Sequence, residues 1–96
     1  MVDEPLAPVP ERVTRWQARR WLVDHGYTPD EIETQLLAIS DPLERARALV
    51  DWRDAPYVER AHLLVEWVGH LYGLSSAQLD NAFREMAKLG GEATQP

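Results

Sequence analysis

The stretch Tyr27-Thr28-Pro29-Asp30-Glu31-Ile32 decides the fold class. Thr28 stands as an N-cap whose hydroxyl can accept from an orphan backbone N–H, and Glu31 at N3 completes a capping box. Pro29 falls at N1, in the one helical turn that tolerates its missing N–H. Tyr27 at N′ and Ile32 at N4 make a hydrophobic staple. Ile32, Leu36 and Ile39 then line one stripe with Leu37 beside it, the spacing of a helix that buries one face.

The same grammar repeats on both sides. Upstream, Val13 precedes a second capping box, Thr14 with Gln17. Ala18, Trp21, Leu22 and His25 follow at helical spacing, and Gly26 stands where a left-handed residue ends the helix. Downstream, Asp41-Pro42-Leu43-Glu44 starts a third helix with Leu43, Ala46, Leu49, Val50 and Trp52 as its apolar set. Pro56 interrupts it, because a mid-helix proline loses a hydrogen bond and clashes with the preceding turn at about 3 kcal/mol. The spacing predicts a fourth helix over Tyr57–Tyr72, ended by Gly73. Leu74, Ser75, Gln78 and Leu79 start a fifth, whose stripe is Leu79, Ala82, Phe83 and Met86. No β-branched segment alternates with period two, so the predicted fold is all-α, a compact bundle of four to five short helices.

Residues 1–12 carry Pro5, Pro8 and Pro10 and read as an extended Pro-rich arm. Residues 13–89 form the helical domain, and 90–96, opening on Gly90-Gly91, read as a flexible tail. The chain has 96 residues, enough for one small domain. It has no cysteine, which removes thiol catalysis and thiolate metal sites. The acidic, proline-bearing start lacks the features of a signal peptide, and no apolar run approaches the ~20 residues of a membrane span. No membrane association is expected. Sixteen acidic against ten basic residues give a net charge of −6, a balance that repels nucleic-acid phosphates unless a basic patch offsets it.

Candidate chemistry is sparse. His62, Glu66 and His70 share one helix face, but i to i+8 is about 12 Å along the axis, too far for both histidines to hold one ion. No metal site, cofactor site or catalytic residue is expected. No Gly-x-Ser-x-Gly, His-Glu-x-x-His or phosphate-loop pattern is present, so the chain does not read as an enzyme. Arg12, Arg15 and Arg19 with Trp16 form a basic stripe with an aromatic. A helix-turn-helix regulator is the alternative reading, weakened because residues 76–89 bring no net positive charge to a groove. Trp21 and Trp52 fit core stripes. Leu63 and Trp67 add an apolar edge to the main stripe of the fourth helix, which makes it either the central helix or one that meets a partner. Leu63 and Trp67, with Trp16 on the first helix, are the candidate partner-binding residues.

Val13, Thr14, Gln17, Ala18 and Arg19 fit a Val-Thr-x-x-Gln-Ala-Arg pattern, followed by Asp41-Pro42, by Val50-Asp51-Trp52, and by Ala55, Val58 and Arg60. The closing run Tyr72-Gly73-Leu74-Ser75 with Gln78, Leu79, Asp80 and Phe83 is similar to Leu-Gly-Leu-Ser/Thr-x-x-Gln-Leu-Asp-x-x-Phe. Over residues 13–89 the chain resembles a family of small helical proteins of bacteriophage and prophage tail modules. That family places Ser-Pro near positions 62–63 where this chain has His62-Leu63, which leaves the boundary between helices three and four around Pro56 open. The resemblance implies a protein–protein interaction role without catalysis. The protein would be a minor tail component or a chaperone for tail assembly. Its partners would be phage tail or tail-fibre proteins, with a homo-oligomer as a further option. Its place would be the virion tail, or the host cytoplasm during assembly.

Overall fold

Helices begin where the sequence places a capping side chain. The computed structural model describes residues 8–90, so residues 1–7 of the expected arm and 91–96 of the expected tail lie outside the described residues. The elements run β1 (Arg12–Thr14), α1 (Arg15–Asp24), α2 (Pro29–Leu37), α3 (Pro42–Asp54), β2 (Tyr57–Glu59), α4 (Leu63–Tyr72) and α5 (Ser76–Lys88). Thr14 Oγ1 accepts from Gln17 N at 3.0 Å while Gln17 Oε1 accepts from Thr14 N at 2.8 Å. Ser75 and Gln78 repeat the exchange at 3.1 and 2.7 Å. Thr28 Oγ1 accepts from Glu31 N at 3.3 Å. The Glu31 carboxylate, however, accepts from the Tyr72 hydroxyl at 3.1 Å, so it ties the start of α2 to the end of α4 instead of closing a capping box.

The expectation of an all-α bundle is corrected at one place. Tyr57–Glu59 does not open the fourth helix but forms β2, antiparallel to β1 in the register Arg12↔Glu59, Val13↔Val58, Thr14↔Tyr57. Arg15 N donates to Pro56 O and Arg60 N to Glu11 O, each at 2.9 Å, which lengthens the ladder at both ends. Two short strands alone do not hold in water. Here Val13 is buried and Val58 packs on the same core, while the Arg12 guanidinium lies 4.2 Å over the Tyr57 ring. Proline sets the choice. It pushes Ala55 out of the helical region, to φ −68° and ψ 126°, and the extended chain then finds β1. The fourth helix starts only at Leu63, with His62 as its N-cap.

Arg60 anchors the strand pair to α5. Its Nε donates to Asp80 Oδ1 at 2.8 Å and its Nη2 to Ser76 O and Oγ at 3.2 Å, with Glu66 at 3.6 Å. The core is built by Ala18, Trp21 and Leu22 of α1, Ile32 and Leu36 of α2, Val65 of α4, and Leu79, Ala82, Phe83 and Met86 of α5. Gly69 lets α4 approach α5 closely, because a Cβ there would stand 2.8 Å from Leu79 Cδ1. The α3 helix contributes no fully buried residue. Ala48, Leu49 and Trp52 are half-buried against the core, while Leu43 and Val50 are exposed. Trp52 is therefore a flanking tryptophan, whereas Trp21 is in the core as expected.

Arginines close the gap left by α3. Arg19 Nη2 donates to Trp52 O at 2.7 Å with its guanidinium 4.6 Å over the Trp52 ring, and Arg15 donates to Arg53 O. Both carbonyls lie in the last turn of α3, where acceptors lack helical partners and a cation is favoured. Arg53 in turn makes two bonds to the Glu33 carboxylate, at 3.1 and 3.0 Å. That hydrogen bonding holds Glu33 below the usual carboxylate range and Arg53 above its own.

Two tests follow from this packing. Arg60→Ala should destabilise the protein by about 2 kcal/mol, since it strands Asp80 and loosens β2 from α5, and Arg60→Lys should recover only part of this because an ammonium lacks the planar fork. Chemical denaturation of the three proteins measures it. Burial, then the bond to Glu31, raises the Tyr72 phenol to about 12. The protonated phenol thus contributes stability that is complete below pH about 10 and is lost as pH rises through about 12. Tyrosinate absorbance should show one of the three tyrosines titrating late, and Tyr72→Phe should remove that late step.

Candidate functional site

The α4 helix exposes an apolar edge because its residues outnumber the core positions available to it. Val65 and Gly69 are buried, Leu64, Val68 and Tyr72 are half-buried, and Leu63 is 81% exposed. Tyr57 and Ala61, which fall inside the helix expected over Tyr57–Tyr72, precede α4 and are exposed. Leu71 also lies at the surface. Leu63, Trp67 and Leu71 follow one another at i, i+4 and i+8 and so form a ridge along one helix face.

Leu63 and Trp67 line a groove of about 580 Å³ between α3 and α4. Leu36 and Ile39 form its floor beside Ala48 and Leu64, and Glu44, Arg47, Asp51 and His62 supply its polar rim. Trp67 is half-buried, packed on the core, and its ring also lines a second groove of about 430 Å³ with Ile39, His70 and Leu71. The tryptophan is therefore the wall between two adjacent hollows. Neither Ile39 nor Ala48 stands out in the sequence as a surface-groove residue, because their placement depends on the packing of α2 and α3 against α4.

The polar residues around this edge are fixed by local bonds. His62 Nδ1 accepts from Leu64 N at 2.9 Å, which leaves the proton on Nε2, 3.2 Å from Asp51 Oδ2. His62 thus caps α4 and links it to α3. Glu66 faces Arg60 and His70 lines the smaller groove, so the three residues His62, Glu66 and His70 serve different neighbours. Among the described residues no group of three or more His, Asp or Glu side chains is arranged to hold a metal ion.

Trp16 lies elsewhere. It is 51% exposed and lines a separate groove of about 580 Å³ with Arg15, Arg19, Arg20, Val23 and Pro56, sharing no residue with the α3/α4 groove. The structure therefore joins Leu63 with Trp67 and sets Trp16 apart. The basic stripe is engaged internally: Arg12 over Tyr57, Arg15 on Arg53 O, and Arg19 on Trp52. Burial, followed by the neighbouring Arg15 charge, lowers the pKa of Arg19. No protein-family model matches this chain, and neither a curated protein nor a solved structure does. No helix among the described residues is long and apolar enough to cross a membrane.

Exposure separates the two groove residues energetically. Leu63→Ala should leave the thermal midpoint nearly unchanged, within about 0.5 kcal/mol of stability. Trp67→Ala should cost more than that, yet less than Trp21→Ala, whose core truncation should cost about 3–5 kcal/mol. Denaturant melts of the three variants rank them.

Proposed function

We propose that this protein is a non-enzymatic protein–protein interaction module of a bacteriophage tail, either a minor tail component or an assembly chaperone for a tail or tail-fibre protein. The observation that supports it is the α3/α4 groove: a half-buried Trp67 beside an 81% exposed Leu63, rimmed by Glu44, Arg47, Asp51 and His62. A large aromatic anchored in the fold, flanked by a free aliphatic and ringed by polar groups, is the composition of an interface hot spot. The resemblance of residues 13–89 to tail-module proteins supplies the setting, in the virion tail or in the host cytoplasm during assembly.

Affinity capture with the tagged full chain, against the tail and tail-fibre proteins produced with it, tests this reading. The wild-type chain should retain one of them, and Trp67→Ala should weaken retention by roughly 30-fold, the equivalent of a 2 kcal/mol hot spot. Retention of none of them by the wild-type chain, or equal retention by wild type, Trp67→Ala and Leu63→Ala, contradicts it. Salt-sensitive retention on heparin or DNA instead would favour a DNA-binding regulator.

A further inference from the structure

The outer face of α1 is built unlike the rest of this acidic chain. Trp16, Arg20 and Val23 follow at i, i+4 and i+7 and form one ridge, with Arg15 and Arg19 on the adjoining row. Trp16 and Val23 are 51% and 55% exposed, although both are large and apolar. The groove they line with Pro56 holds three guanidinium groups and no carboxylate, in a molecule whose net charge is −6. Arg15 and Arg19 are held in place by the carbonyls of Arg53 and Trp52. Each bond uses one of five guanidinium N–H donors, and the carbonyls neutralise neither charge. Arg19 Nε is buried with no hydrogen-bond partner among the described residues. Arg20 is paired with Asp24 one turn on at 3.1 Å, and the charge of Glu33 on α2 acts on Arg19.

We infer that this α1 groove is a second docking surface, and that its occupant is an acidic peptide segment carrying one aromatic or aliphatic anchor. The anchor seats against Trp16 and Val23, and the flanking carboxylates meet Arg15, Arg19 and Arg20. Charge complementarity selects the occupant, because two guanidinium groups held on backbone carbonyls, with Arg20 beside them and no acid among the lining residues, favour an anion, and the apolar ridge between them excludes a purely hydrophilic one. A nucleic acid fits less well. Its backbone gains affinity by spreading over many cations, and at the edge of this groove it would meet the carboxylate of Asp24 beside Arg20 and the charge of Glu33 that acts on Arg19. The inference is independent of the α3/α4 groove, which shares no residue with this one.

Fluorescence anisotropy of a short labelled peptide, glutamate-rich with a central phenylalanine, tests it with the full chain at low salt. Binding should weaken roughly tenfold in Trp16→Ala, a loss near 1.4 kcal/mol, and by a similar factor in Arg20→Gln. It should also fall as salt rises and stay unchanged in Trp67→Ala. Both α1 substitutions lie at exposed positions, so the melting temperature of each variant should remain close to wild type, and Arg20→Gln tests the site even if Trp16→Ala does not fold. A version of the peptide with lysine in place of glutamate should not bind. The inference is overturned if the acidic peptide fails to bind wild type, if both α1 variants bind it as wild type does, or if single-stranded oligonucleotide binds as tightly and is lost in the same variants.

Discussion

The antiparallel pairing of Arg12–Thr14 with Tyr57–Glu59 organises everything around it. It joins the start of the domain to its middle across more than forty residues of chain. Because Arg15 N is bonded to Pro56 O, α1 begins beside the end of α3, and this is what lets Arg15 and Arg19 reach the last carbonyls of that helix. At the other end of β2, Arg60 is delivered to Ser76 and Asp80 in the first two turns of α5. The strand also separates α3, which ends ahead of Pro56, from α4, which starts only at Leu63. The interruption lets α4 turn back, capped by His62 and linked to Asp51 of α3, so that a groove opens between the two helices.

Much of this was legible in the sequence, and the reasons differ by element. Capping boxes are local, so Thr14 with Gln17 and Ser75 with Gln78 could be read directly and are seen as such. The stripes of α2 and α5 were legible because each helix buries a single face against one core. The strands were not, since three residues are too few to display a period of two and Val13 serves equally well as the apolar residue before a cap. Pro56 reads as a break between two helices, because a proline disrupts a helix interior. Its carbonyl is bound from α1, by a partner that no local pattern reveals. Trp52 has the spacing of a core residue, but Arg19 lies over its ring, and a cation at that place is a tertiary event.

The candidate site was legible in its apolar half. Periodicity marks Leu63 and Trp67 as an apolar edge beside the main stripe, and in the structure Leu63 is exposed while Trp67 packs half-buried on the core. The other half of the groove comes from Ile39 and Ala48, which only the packing of three helices brings together. The basic stripe was visible as residue types, while its division of labour was not. Arg15 and Arg19 each bind a backbone carbonyl of α3 and also line the groove beside Trp16. Structural duty and a charged outer surface are combined in the same side chains, which gives the face rigid cations at little entropic loss on binding.

Native-state hydrogen exchange at the amides of Arg15 and Arg60 tests the central claim most directly, because these two N–H groups close the ends of the strand ladder. If the pairing organises the domain, both amides exchange only when the whole molecule unfolds, with the same opening free energy as amides of α5 around Phe83. Exchange of both at the rate of an open loop, while the α5 amides stay protected, would contradict the account: the helices would then hold together without the strands.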